Sequence, residues 1–174
     1  HAPRYTCDQI MRHSVGTAIN CQSQRYVDMD DNFSIYIPPK AMENETLQTY
    51  YKYYENSCKN HYKLVRRELR NEGIEGEKAN DIMRTMLPIG VACNLTMGFT
   101  VEALINFMHK RLCVRADEPI RKVAQLMRKA VIDVEPRYAD LLIPQCVDKM
   151  YCPEKHSCGA YPSKEEVHKK IFGK

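Results

Sequence analysis

Residues Gln9 to Tyr26 concentrate side chains suited to holding an anion and a heterocycle. The stretch carries Gln9, the pair Arg12-His13, Asn20, Ser23, Gln24 and the pair Arg25-Tyr26. Arginine offers a planar fork of donors that matches phosphate or a carbonyl edge in a bidentate way. Short polar side chains at close spacing fill in the remaining contacts. Ser23 has no base beside it in the sequence, so it reads as a hydrogen-bonder to phosphate rather than as a nucleophile.

Two further groups lie downstream. Arg84 is followed by Leu87-Pro88 at the end of a helical pattern. The alternative reading is an arginine on an exposed helix face. Asn106 and His109 are three apart within Leu104–Arg111 and so share one face of a helix, with Arg111 off to one side. The eight cysteines leave alternatives open. Cys146, Cys152 and Cys158, with His156 between, could hold zinc, form a redox pair of Cys152 and Cys158, or be structural. Their spacing is not the two-residue knuckle of structural zinc sites, so no metal is assigned. An even cysteine count, with sequons at Asn32, Asn44 and Asn94, also permits a secreted glycoprotein. Several cysteines have apolar neighbours and read instead as small hydrophobes.

These residues need a scaffold. A chain of 174 residues, 44% hydrophobic and 28% charged, reads as one domain over 1–174, with a cysteine-containing tail and short helix at 144–174. No apolar run is long enough for a membrane span. A net charge of +4 without a basic run argues against a nucleic-acid arm. Residues 5–13 predict a helical turn leading into a loop and then an extended piece over 17–27. Residues 34–37 predict a strand ended by Pro38-Pro39. A long helix is predicted from Asn44 to Asn71, with a stripe of Leu47, Tyr50, Tyr51, Tyr54, Cys58, Tyr62, Val65 and Leu69, ended by Gly73. Further helices are predicted over 77–87, 100–112 and 117–134, with a buried strand or a close crossing over 90–98. The last helix starts at a Ser163–Glu166 capping box.

The first stretch resembles the signature of the flavin-dependent thymidylate synthases: Arg-His-Arg, then Ser, Asn and Ser at fixed spacing, then Arg-Tyr. Asn20, Ser23, Arg25 and Tyr26 keep that spacing, while Arg12-His13 sit one residue upstream of it. Arg84-x-x-Leu87-Pro88 is similar to the family's Arg-x-x-Leu-Pro element, and Asn106-Phe107-x-x-x-Arg111 to its Asn/His-Phe-x-x-x-Arg segment. The chain departs from the family pattern at Ser14, Cys21, Thr100 and Glu102. Only eleven residues precede Arg12, where the family carries a longer stretch.

The resemblance implies an α+β fold, a twisted antiparallel sheet flanked by helices, assembled as a homotetramer with active sites at subunit junctions. It implies reductive methylation of dUMP to dTMP with FAD, NADPH and 5,10-methylenetetrahydrofolate, in the cytoplasm. By resemblance, Gln9, Ser23, Gln24, Arg25, Arg84 and Arg111 would bind dUMP, with Arg111 as the catalytic group at the base. Arg12, His13, Asn20 and Asn106 would bind FAD. No cysteine would be a nucleophile, and neither nucleic acid nor membrane would be a partner. The alternatives are C5-alkylation of another pyrimidine nucleotide, such as hydroxymethylation, or a non-catalytic nucleotide-binding paralogue.

Overall fold

The computed structural model describes residues 2–29 and 33–173. The Asn32 sequon falls outside them. The chain is helix-rich with small β-ladders, an α+β arrangement. It divides into two compact units, residues 1–8 with 19–96, and residues 9–18 with 97–174. None of the described helices is long and apolar enough to cross a membrane.

The first unit is built on one long helix. Strand β1 (Ala2–Pro3) leads directly into α1 (Arg4–Met11), whose first residues belong to this unit. A short α2 (Pro39–Met42) precedes α3 (Glu45–Asn71). The Asn44 side chain accepts from Leu47 N at 3.0 Å and caps α3, satisfying one of the donors a helix start leaves open. At the other end Gly73 takes φ +71°, the left-handed turn that glycine permits. Helix α4 (Gly76–Met83) runs into a 3-10 turn at Arg84–Met86, so the helix predicted to reach residue 87 tightens over its last turn before Pro88. The core of this unit is Phe33, Ile35, Tyr62, Met83 and Val91, with Cys58, Val65, Leu69 and Leu87 packed against it.

Only the C-terminal half of the α3 stripe reaches that core. Leu47, Tyr50 and Tyr54 stand exposed, as does Tyr53. Deeper in, Arg66 is buried, and its Nη2 donates to Asn80 Oδ1 at 3.0 Å, to the Tyr62 hydroxyl at 3.3 Å and to Asp28. Asn80 then donates through Nδ2 to the Arg25 carbonyl at 3.0 Å. One side chain on α4 thus ties α3 to the loop after Ser23.

The strands differ from the predicted pattern. No single twisted sheet is formed among the described residues; there are two two-stranded ladders, β1 with β3 (Ala92–Cys93) and β2 (Thr17–Cys21) with β4 (Leu95–Phe99). β1 and β3 are antiparallel, with Ala2 opposite Cys93 and Pro3 opposite Ala92. The order expected over 17–27 is reversed, strand first and turn after. The predicted strand at 34–37 shrinks to one antiparallel bridge between Ile35 and Val91. Two prolines directly after it leave no donors to extend the ladder. The predicted strand over 90–98 breaks at Asn94 into β3 and β4.

The second unit packs helices. Thr100 caps α5 (Val101–Arg111), its hydroxyl accepting from Ala103 N at 3.2 Å. Helix α6 (Glu118–Val134) begins with Pro119 in its first turn and buries Ile120 and Ala124. Ile10, Phe107, Met108, Ile120, Ala124 and Leu142 are buried. Arg128 on α6 donates to the carbonyls of Leu142 (2.6 Å) and Ala139 (3.0 Å) and so holds the segment after Pro136. The cysteine-containing tail holds a further short helix, α7 (Gln145–Lys149), and the Ser163–Glu166 capping box opens α8 (Lys164–Phe172) as expected.

Replacing Asn80 with Ala removes an acceptor from a buried guanidinium and a donor from the Arg25 carbonyl. A lost hydrogen bond to a charged group costs about 1.5–3 kcal/mol. Asn80→Ala is expected to lower the unfolding free energy by about that amount in urea titration. A change below about 0.5 kcal/mol, the size of an ordinary surface substitution, would contradict the network.

Candidate functional site

The residues singled out in the sequence fall into two sets, one in each unit. In the first unit, Ser23, Gln24 and Arg25 sit in the turn that follows β2, and Arg84 opens the 3-10 turn after α4. Ser23 Oγ accepts from the Arg25 backbone N–H at 3.2 Å, a local bond that leaves its own O–H free to donate. Arg25 reaches two carboxylates of α4: Nη2 to Glu77 at 3.4 Å and Nε to Asp81 at 3.3 Å. Arg84 contacts the same Asp81 at 3.4 Å. One carboxylate therefore holds two arginines at the edge of one turn. Both guanidinium groups are about half exposed, at 44% and 51%, and accessible to an anion. Asn20 lies exposed on β2.

In the second unit, the end of α1 meets the end of α5. Arg111 Nε donates to His13 Nε2 at 2.9 Å, and Arg111 Nη2 donates to the Gln9 carbonyl at 3.4 Å. A guanidinium has donors only, so His13 Nε2 must accept and the ring proton sits on Nδ1. The ring packs edge-on against Phe107, with centroids 4.9 Å apart. Burial, then the charges of Arg111 and Lys110, hold the His13 pKa down at about 4. Burial and the nearby Arg12 also lower Arg111 from its ordinary value. Arg12 itself is exposed.

Gln9 Nε2 donates to Asp117 at 3.5 Å, while its Oε1 is buried with no partner among the described residues. A buried carbonyl oxygen is an acceptor for any N–H or O–H donor that reaches it. Asn106 is exposed on α5, one residue before the buried Phe107.

The one-residue offset of Arg12-His13 falls where the structure can absorb it. Residues 12–16 form the turn between α1 and β2. Gly16 takes φ +67° there, its carbonyl accepts from Thr100 N at 2.8 Å, and an added Cβ would meet Thr100 Oγ1 at 2.6 Å. Thr100 thus serves as helix cap and as the neighbour that needs glycine opposite it.

All eight cysteines are free thiols. In the tail, a cavity of about 20 Å³ is lined by His109, Cys113, Cys146, Cys152 and Cys158 among others. His109, rather than His156, is the histidine there. That volume admits about one water. Burial, with Cys113 nearby, raises the Cys146 pKa.

Sequence reasoning missed two features. The first is the pair of carboxylates, Glu77 and Asp81, that orient Arg25; only the Asp81–Arg84 spacing of three was a visible cue. The second is a group of three thiols, Cys7, Cys21 and Cys93, whose sulfurs lie within 4.8 Å of one another. Burial, then the neighbouring Cys93 and Cys21, pushes the Cys7 pKa up to about 12.

The His13 geometry has a consequence in pH. In the unfolded chain the imidazole protonates near about 6.5. In the folded chain it resists protonation until about 4. Its contribution to stability is therefore complete above about 6.5 and is lost as pH falls through about 4, because only the unfolded state takes up the proton between them. His13→Gln, which keeps an acceptor for Arg111 and cannot titrate, is expected to lose less stability than the parent across that window. The His13 ring resonances of the parent should titrate near 4; a midpoint near 6.5 would refute the buried neutral ring.

The geometry can be set beside known proteins. A sequence model of the family described as thymidylate synthase complementing protein matches residues 1–137. The flavin-dependent thymidylate synthase of Nitratidesulfovibrio vulgaris is 29% identical over 91% of this chain and 65% of its own length. That of Clostridium tetani is 32% identical, covering 92% of this chain and 67% of its own length. The enzyme of Sulfurisphaera tokodaii is 30% identical over 83% of this chain and 52% of its own length. The chain thus spans between about half and two thirds of these relatives. With a match reaching from the first strand through α6, the chain belongs to the thymidylate synthase complementing protein family.

Proposed function

We propose that this chain is a flavin-dependent thymidylate synthase, acting in the reductive methylation of dUMP to dTMP. The observation that carries this reading is the cluster of Gln9, His13 and Arg111. Gln9 Oε1 offers an unpartnered acceptor, and the imide N–H of a uracil or a flavin ring is a donor of the matching kind. Arg111, with two of its five donors engaged by His13 and Gln9, keeps others for a pyrimidine carbonyl. Drawing charge onto that carbonyl polarises the ring without a covalent enzyme nucleophile.

Ser23, Gln24, Arg25 and Arg84 are proposed to take the phosphate. The shared Asp81 lies within 3.4 Å of both guanidinium groups, an ion pairing that biases them toward one place before the anion arrives. Arg12, His13, Asn20 and Asn106 are proposed to hold FAD. The neutral His13 supports this, because its Nδ1–H stays a donor across physiological pH. When bound, FAD supplies the redox chemistry, with NADPH as reductant and 5,10-methylenetetrahydrofolate as one-carbon donor. The phosphate set and the base set need not come from one copy, since the resemblance implies a homotetramer with sites at subunit junctions. The exposed Leu47, Tyr50, Tyr53 and Tyr54 on α3 support such an assembly. A cytoplasmic location goes with this reading.

Light scattering at micromolar concentration is expected to give about four times the 20.3 kDa chain mass. A monomer would overturn the assembly. The chain expressed with excess riboflavin is expected to be yellow, with an oxidised-flavin absorption band. Arg25→Ala, Arg84→Ala and Arg111→Ala are each expected to weaken dUMP binding by about 1.5–3 kcal/mol in calorimetry, the range for a hydrogen bond to a charged group. Arg137→Ala, which removes an exposed arginine paired with Glu135, serves as the control. A colourless protein, or three variants that bind dUMP like the parent, would overturn the reading.

A further inference from the structure

Three sulfurs converge in the first unit from three separate elements. Cys7 lies on α1, Cys21 ends β2 and Cys93 ends β3. The fold forces this meeting. Pairing of β1 with β3 sets Ala2 opposite Cys93, and the Arg4 and Tyr5 amides donate to the Val91 and Ile89 carbonyls at 2.9 and 3.3 Å, so α1 starts beside β3. Gln22 N donates to Asn94 O at 2.9 Å, which brings the end of β2 against Cys93. Cys7 and Cys93 are buried and Cys21 is half-buried.

The geometry points to a binding site for a single thiophilic d10 cation, zinc(II), held by Cys7, Cys21 and Cys93. All three Sγ atoms lie within 4.8 Å of one another, and Cys21 and Cys93 are 3.3 Å apart. A zinc–sulfur bond of about 2.3 Å in tetrahedral geometry sets its sulfurs about 3.8 Å apart. To close on one ion, Cys21 and Cys93 must part by about 0.5 Å and the pairs with Cys7 must close by at most about 1 Å. It is too small to enclose a polynuclear iron–sulfur cluster. Three thiolates around zinc(II) leave one negative charge. Arg4, itself paired with Asp8, has Nη1 3.5 Å from Cys21 Sγ and faces that charge. The Gln22 carbonyl, 3.9 Å from the sulfurs of both Cys21 and Cys93, or a water is available for the fourth position. Three thiolates and a hard-donor fourth ligand suit zinc better than magnesium or calcium, which take oxygen. The site shares no residue with Gln9, His13 and Arg111, and its test does not depend on nucleotide or flavin binding.

The test is a titration of the full, reduced, metal-free chain with Zn²⁺ against a chromophoric chelator, and with Co²⁺ followed by absorbance. The expected result is one ion per chain and a thiolate-to-cobalt charge-transfer band in the near ultraviolet. Cys21→Ser, at the half-buried corner, is expected to weaken Zn²⁺ binding by at least about 100-fold, since even changes outside the ligand shell cost 10- to 100-fold. Cys93→Ser should do the same, whereas Cys146→Ser and Cys158→Ser should leave binding unchanged. The parent titration stands even if a variant misfolds. The proposal is overturned if the reduced chain retains no stoichiometric ion, or if a tail variant rather than Cys21→Ser removes it. It is equally overturned if Cu⁺ alone binds, or if the triad's only reaction is a Cys21–Cys93 disulfide formed with oxidised glutathione.

Discussion

A guanidinium withdrawn from water must find acceptors, and the first unit supplies them to Nη2 of Arg66, while its buried Nε has none among the described residues. Its Nη2 takes the side chains of Asp28, Tyr62 and Asn80 as partners. Asn80 can accept from Arg66 only if α4 lies along α3. In that position its amide also holds the Arg25 carbonyl, and this fixes the turn carrying Ser23 and Gln24. Arg25 then reaches Glu77 and Asp81 on the same helix, and Asp81 engages Arg84. The proposed phosphate set is thus the outer end of a chain of contacts that begins at one buried charge.

The second unit solves a related problem with a neutral partner. Arg111 is partly withdrawn from solvent at the end of α5, and an imidazole receives its Nε–H. A carboxylate there would neutralise the charge. A neutral ring satisfies the donor and leaves the charge to act on a ligand. Burial and two neighbouring cations prevent the ring from protonating, so the arrangement maintains itself above acidic pH.

Much of the helical frame was legible because its signals are local. Asn44 capping α3, Gly73 ending it, Pro119 opening α6 and the Ser163–Glu166 box are each set by neighbours within a turn. The ladders were poorly legible. β1 and β3 are two residues each and pair across the whole first unit, so no alternation of residue types announces them. The residue types of the candidate site could be read off, and so could their nearness within a motif. Their pairing could not. That Arg111 meets His13, or that one aspartate serves both Arg25 and Arg84, depends on how helix ends meet. The three thiols show the limit most clearly: Cys21 and Cys93 are 72 positions apart and become neighbours through the backbone bond from Gln22 to Asn94, while Cys7 joins them through the bond from Arg4 to Val91.

The unequal burial of α3 implies a gradient of motion along a single helix. From Cys58 to Leu69 its inward face is locked into a core. Over its first two and a half turns, Leu47, Tyr50 and Tyr54 stand exposed, with no such core among the described residues. Backbone amides near the start should therefore open by fraying, with fast hydrogen exchange, while those near Tyr62 and Arg66 should exchange only when the whole unit unfolds. Whatever covers the tyrosines converts that fraying segment into part of one cooperative body. Ordering of the helix start and covering of its aromatic face then become a single linked equilibrium, dependent on the concentration of the partner surface.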